Sequence, residues 1–124
     1  MPRALIVYDI RSTAEPLATV LAAEGWTVAL EPKDVRGAAG LARDLPDLIV
    51  LDVAGPLTQA LPFLRSLKLA RATRTKVVIL SAELESAEVR RARAAGAACC
   101  LAKPVSRATL LSTVARLTRR LVRA

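Results

Sequence analysis

Four short apolar runs in this chain each stop on a polar residue able to do chemistry. Leu5-Ile6-Val7-Tyr8 ends on Asp9, and Leu48-Ile49-Val50-Leu51 ends on Asp52. Val77-Val78-Ile79-Leu80 ends on Ser81, and Cys99-Cys100-Leu101-Ala102 ends on Lys103 followed by Pro104. Between the runs lie stretches whose apolar residues recur at i, i+3 and i+4, the spacing of a helix packed on one face. Short apolar strands alternating with helices predict a parallel sheet, and such sheets bind ligands outside the carboxyl ends of their strands. Two carboxylates, a hydroxyl and an amine are therefore expected to meet at one edge.

Taken in order, the pattern predicts a strand over Leu5 to Asp9 and a helix carrying Leu17, Val20 and Leu21 inward. Pro16 fits that helix only in its first turn, which favours Thr13 over Ser12 as the cap, and Gly25 ends it. Trp26 to Leu30 alternates and is less hydrophobic, as an edge strand would be. Asp34 caps a weak second helix with Leu41 and Leu45, loosened by Gly37 and Gly40 and stopped before Pro46. The third strand is Leu48 to Leu51. After Gly55 and Pro56 a third helix begins near Thr58, with Leu61, Leu64 and Leu67 inward and Arg65, Lys68 and Arg71 outward. Lys76 to Leu80 is the fourth strand. A fourth helix opens at Glu85 or Ser86, with Val89, Ala92 and Ala95 on one side and its arginines on the other, and stops at Gly96. Ala98 to Ala102 is the fifth strand, and Ser106 caps a last helix striped by Leu110, Leu111, Val114, Leu117 and Leu121. Right-handed crossovers then place helices on both faces of a doubly wound α/β sheet in three layers. With no linker or repeat, residues 1–124 are expected to form a single domain without a separate output domain.

Composition narrows the chemistry. The chain has 124 residues and no histidine. A Ser-His-Asp or Cys-His nucleophile and a histidine metal site are thereby excluded, and the chain cannot itself carry a phosphohistidine. Cys99 and Cys100 are neighbours, badly placed to form a disulfide, and read as buried thiols. The formal net charge is +8, with every acid at or before Glu88. Arg90, Arg91, Arg93, Lys103, Arg107, Arg116, Arg119, Arg120 and Arg123 make the C-terminal third a basic surface, either solvated helix faces or a contact for an acidic partner or nucleic acid. No apolar stretch is long enough for a membrane helix and no leader pattern opens the chain, so a soluble cytoplasmic protein without membrane insertion is expected.

The order Asp9, Asp52, Ser81-Ala82 and Lys103-Pro104, together with Ala95-Gly96-Ala97 ahead of the fifth strand, resembles the receiver domain of two-component response regulators. The likeness implies a flavodoxin-like fold with five strands in the order 2-1-3-4-5 and five helices. It implies a phosphorelay switch, not an enzyme beyond slow self-phosphorylation and autodephosphorylation. Asp52 would accept a phosphoryl group from a phosphohistidine on a sensor histidine kinase or a histidine phosphotransfer protein, becoming an aspartyl phosphate. Asp9, Asp52 and the backbone carbonyl of Ala54 would hold Mg2+, which favours a shell of oxygen ligands. Lys103 would place a positive charge on the phosphoryl group and Ser81 would hydrogen-bond it. Pro104 stands where the family has a cis peptide. A downstream protein would bind the basic face of the fourth and fifth helices, and the protein would be a monomer or weak dimer.

Three features depart from the family. Receivers usually carry two adjacent acids after the first strand; Tyr8 replaces the first here, so Mg2+ binding is expected to be weak. The loop after Asp52 has Gly55-Pro56 and Gln59-Ala60 where relatives often have Met-Pro and Asp-Gly. Cys100 stands where many receivers carry an aromatic that relays the signal. These departures keep open a pseudo-receiver, an interaction module working without phosphorylation. A basic nucleic-acid-associated module is a weaker alternative, since no helix-turn-helix pattern supports it. A flavin or dinucleotide site would need a glycine loop after the first strand, which Ile10-Arg11-Ser12-Thr13 lacks.

Overall fold

The computed structural model describes residues 2–33, 45–69 and 74–119. Five parallel strands form one sheet: β1 (Arg3–Tyr8), β2 (Thr27–Pro32), β3 (Leu48–Asp52), β4 (Lys76–Ser81) and β5 (Cys99–Ala102). Their order is β2-β1-β3-β4-β5, the expected flavodoxin-like arrangement. The α-helices of the described residues are α1 (Arg11–Ala23), α2 (Leu61–Leu69), α3 (Ser86–Ala94) and α4 (Arg107–Leu117). The predicted second helix falls on residues 34–44, outside the described residues, as do Arg71, Arg120, Leu121 and Arg123.

Alternation along the strands builds two cores. Leu5, Val7, Ile49, Leu51, Val77 and Ile79 face α2 and α3, where Phe63, Leu64, Leu67 and Ala92 meet them. Ala4, Ile6, Leu48, Val50, Val78 and Leu80 face the other way, against Ala14 and Leu21 of α1 and Leu110 and Val114 of α4. All five residues of β3 are buried. That double burial explains why the strand reads as an unbroken apolar run. Among the described residues β2 pairs with β1 alone, and as an edge strand it accommodates Pro32.

Gly25 and Gly96 end α1 and α3 as expected, with φ of 94° and 121°. In each case two backbone hydrogen bonds close the turn, from Gly25 to Ala22 and Trp26 to Leu21, and from Gly96 to Arg93 and Ala97 to Ala92. Together they satisfy carbonyls that the helix end would otherwise leave unpaired. Ser106 caps α4 through its hydroxyl, which accepts from the Thr109 N–H at 3.0 Å.

Three expectations are corrected. Thr13 is not the cap of α1: the helix starts at Arg11, Ile10 stands at its mouth, and Thr13 lies inside the first turn with its hydroxyl turned to Asp52. Pro16 consequently lies beyond the first turn, where its missing N–H leaves the carbonyl of the exposed Ser12 to solvent. The segment from Leu57 to Ala60 is a 3-10 turn, and the α-helix proper begins at Leu61. Cys99 and Cys100 are free thiols, but half-buried, because β5 is the far edge of the sheet.

Candidate functional site

The chain leaves β1, runs outward to β2 at the edge, and returns to the opposite side of β1 as β3. Such a reversal opens a crevice at the carboxyl ends of the two middle strands. Tyr8 and Asp52 are register partners there, and the Asp9 N–H donates to the Asp52 carbonyl at 3.2 Å. The ladder continues one residue past the neighbouring strands as well, with Val53 N–H on the Leu80 carbonyl at 2.9 Å and Lys103 N–H on the Ser81 carbonyl at 3.0 Å. These bonds fix where Asp9, Asp52, Ser81 and Lys103 begin their loops.

The Asp52 side chain is only 1% exposed. It shares the parity of Leu48 and Val50, so it points to the face covered by α1 and α4. Burying a carboxylate costs several kcal/mol unless it is paired and hydrogen-bonded. Both compensations are present. The Lys103 ammonium forms an ion pair with Oδ1, and the Thr13 hydroxyl donates to Oδ2 at 2.6 Å. That hydroxyl has one hydrogen and also lies 2.8 Å from the Ile10 carbonyl; the charged, shorter contact is the stronger. Lys103 is held in turn by the Val53 carbonyl at 2.9 Å, and the Lys103-Pro104 peptide is cis.

Asp9 is engaged at both oxygens. Oδ2 accepts from the Ala54 N–H at 2.8 Å, and Oδ1 forms an ion pair with Lys33 at 3.1 Å. Lys33 directly follows β2, and its own N–H donates to the Tyr8 carbonyl at 2.8 Å. Tyr8 packs its ring against the core over α1, while its hydroxyl accepts from Arg11 at 3.3 Å. Arg11 also pairs with Glu15, and the Tyr8 contact, then Glu15, holds its guanidinium above its ordinary range.

Ser81 is fully buried and serves its own loop. Its hydroxyl sits 3.1 Å from the Glu83 carbonyl, accepts from the Glu83 N–H at 3.2 Å, and lies 3.4 Å from the Gly55 carbonyl. It thus links the loop after β4 to the loop that carries Ala54.

Asp9, Asp52 and Lys103 are therefore gathered at one edge, Ala54 is tied to Asp9 through its N–H, and Ser81 borders the same loop. Thr13 and Lys33 are additions that the sequence reading did not assign. Lys33 lay three residues past the predicted end of the second strand at Leu30, and the strand itself runs on to Pro32. Thr13 lies one helical turn past Asp9, on the side of α1 that meets the sheet.

Hard divalent ions such as Mg2+ take oxygen ligands and need few from the protein, since they retain waters. The carboxylates of Asp9 and Asp52 fit that requirement. Asp52 Oδ1, buried and facing Lys103 without an aligned hydrogen bond, keeps lone pairs for a cation. Among the described residues no cluster of three or more His, Cys, Asp or Glu exists. The described helices include none long and apolar enough to cross a membrane.

Known proteins resemble this chain in sequence and in fold. The chain is 35% identical over 118 residues to the response regulator PleD of Caulobacter vibrioides, which covers 94% of this chain and 26% of PleD. It is 33% identical over 118 residues to the response regulator MprA of Mycobacterium ulcerans, covering 95% of this chain and 50% of MprA. The chain thus spans half or less of these relatives. In structure it superposes on the chemotaxis protein CheY4 of Vibrio cholerae with a TM-score of 0.81 at 26% identity, covering 94% of this chain and 98% of that one. Residues 4–115 match the model of the response regulator receiver domain. With that match spanning most of the sheet and the edge just described, the chain belongs to the response regulator receiver family.

Proposed function

We propose that this receiver is a phosphoacceptor switch in a two-component relay and that Asp52 is its acceptor. The observation that carries the reading is the buried Asp52 carboxylate at the end of the central strand, paired with the Lys103 ammonium. An Asp52 oxygen attacks phosphorus on a phosphohistidine of a kinase or phosphotransfer protein; the P–O bond forms, the P–N bond breaks, and the imidazole leaves with a proton. Oδ2 becomes free for attack once the Thr13 hydroxyl turns back to the Ile10 carbonyl, an acceptor already within reach. Lys103 neutralises charge on the transferred group. Ser81, released from Glu83, donates to a phosphoryl oxygen and draws its loop inward. Mg2+ held by Asp9, Asp52 and the Ala54 carbonyl would screen the repulsion between acceptor and donor.

The signal leaves by protein–protein contact. Arg90, Arg91 and Arg93 on α3 and Arg107 and Arg116 on α4 are exposed and suit an acidic partner. The reading takes the chain as one cytoplasmic receiver unit, monomeric or weakly dimeric.

Incubation with Mg2+ and acetyl phosphate or phosphoramidate is expected to add one phosphoryl group by intact mass, absent in Asp52→Asn. A folded sample that accepts none from these donors or from any kinase of its own organism would overturn the proposal. The ion pair between Lys33 and Asp9 favours a second reading, a module that binds its partner without phosphorylation. Under it, partner affinity would survive Asp52→Asn and be indifferent to Mg2+.

A further inference from the structure

The carboxyl edge carries two carboxylates and two ammonium groups, arranged as separate pairs. Lys103 serves Asp52, whereas Lys33 serves Asp9. The second pair is not a loose surface contact. The Lys33 backbone is fixed to Tyr8, its side chain is 16% exposed and that of Asp9 22%, and the ammonium also lies 3.4 Å from the Gln59 carbonyl. Long-stemmed charges at this exposure are less screened than freely solvated ones.

We propose that Lys33 is a tethered counter-cation for Asp9, competing with a divalent ion for the acidic pocket and setting the pocket's affinity for that ion. The inference rests on Asp9 being part of the cation site of the receiver reading. A divalent ion at Asp9 must displace the Lys33 ammonium or accept it as a like-charged neighbour, and either lowers affinity. Tyr8 adds to the effect: its phenol is turned to Arg11, and it brings no second carboxylate to repay the competition. The pocket is thus neutralised from within.

Mg2+ and Mn2+ binding by calorimetry tests this in the intact chain, with Lys33→Met and Lys33→Gln as neutral variants. Lys33→Arg keeps the charge. Lys68→Met removes a positive charge from an exposed position on α2. Both neutral variants are expected to bind about tenfold tighter than wild type, the change expected from removing one nearby like charge in a partly solvated site. Lys33→Arg and Lys68→Met are expected to stay within about twofold of wild type, well under the roughly 1.4 kcal/mol that a tenfold change represents. Equal dissociation constants for wild type and a folded neutral variant, or no binding by either, would overturn the inference, as would equal tightening in Lys68→Met. Phosphorylation is assayed on the same samples. Tighter ion binding in Lys33→Met without phosphorylation of any variant would remove the phosphoacceptor reading and leave the role of Lys33 intact.

Discussion

The Thr13 hydroxyl donates to Asp52 Oδ2 at 2.6 Å, joining the first turn of α1 to the end of β3. One hydrogen bond thereby stabilises a buried carboxylate and occupies the atom that phosphoryl transfer would use. Thr13→Val keeps the shape and removes the donor. Stability is expected to fall by about 1–3 kcal/mol, the usual range for leaving a buried charged acceptor short of a partner. Phosphorylation by acetyl phosphate is expected to speed up several-fold, since the nucleophile is released. Urea melts and the rate of phosphoryl incorporation check the two effects separately; a slower rate with unchanged stability would show that the hydroxyl aids transfer instead.

Lys103 and Asp52 should behave asymmetrically. Lys103→Met leaves the Asp52 carboxylate buried without its counter-ion and is expected to cost about 3–5 kcal/mol. Asp52→Asn removes the charge that needs compensation, while Lys103 is 24% exposed and can turn to solvent, so its cost is expected to stay near 1 kcal/mol. The double variant Asp52→Asn/Lys103→Met is expected to recover most of the loss seen in Lys103→Met. Additive losses in the urea cycle would contradict the pairing.

Much of this edge was legible because each strand declared its own end. The runs of β1, β3 and β4 are almost wholly buried and stop on Asp9, Asp52 and Ser81, and the half-buried run of β5 stops on Lys103. Lys33 follows a strand that lacks such a run: among the described residues β2 has only β1 beside it, and its exposed positions break the apolar signal. Thr13 was misread for a different reason. Locally it is a good cap ahead of Pro16, but its hydroxyl finds a charged acceptor 39 residues away, and that tertiary contact outweighs the local signal. The role of Tyr8 was likewise hidden, since its phenol is directed by Arg11 and not by the acids it adjoins.

Gly25 and Gly96 offer a test of backbone cost free of packing. A Cβ built at either position meets nothing within 4 Å, yet φ is 94° and 121°. Alanine at each is therefore opposed by conformation alone, and Gly25→Ala and Gly96→Ala are each expected to lose roughly 1–2 kcal/mol. Thermal melts should show two separate and nearly additive losses, since the turns belong to different helices on opposite faces of the sheet. A neutral substitution at either site would show that the turn relaxes to a conformation open to all residues.

Cys100 links burial to pH. Burial, then the neighbouring Cys99, pushes its thiol up from the ordinary 9.0, with Arg93 opposing. The folded chain therefore holds this proton more tightly than the unfolded chain does. Its contribution to stability is complete below the unfolded value and is lost as pH rises from there through the folded value, because the unfolded form ionises first. Wild-type stability is thus expected to decline from about pH 9 upward, and Cys100→Ala to decline less over the same interval. Alkylation gives the kinetic counterpart. Only the thiolate attacks iodoacetamide, so modification of Cys100 is expected to lag behind that of a free model thiol at pH 8 and to catch up only in more alkaline solution. Peptide mapping after timed alkylation reads this directly, and modification of Cys100 at the model-thiol rate at pH 8 would contradict it.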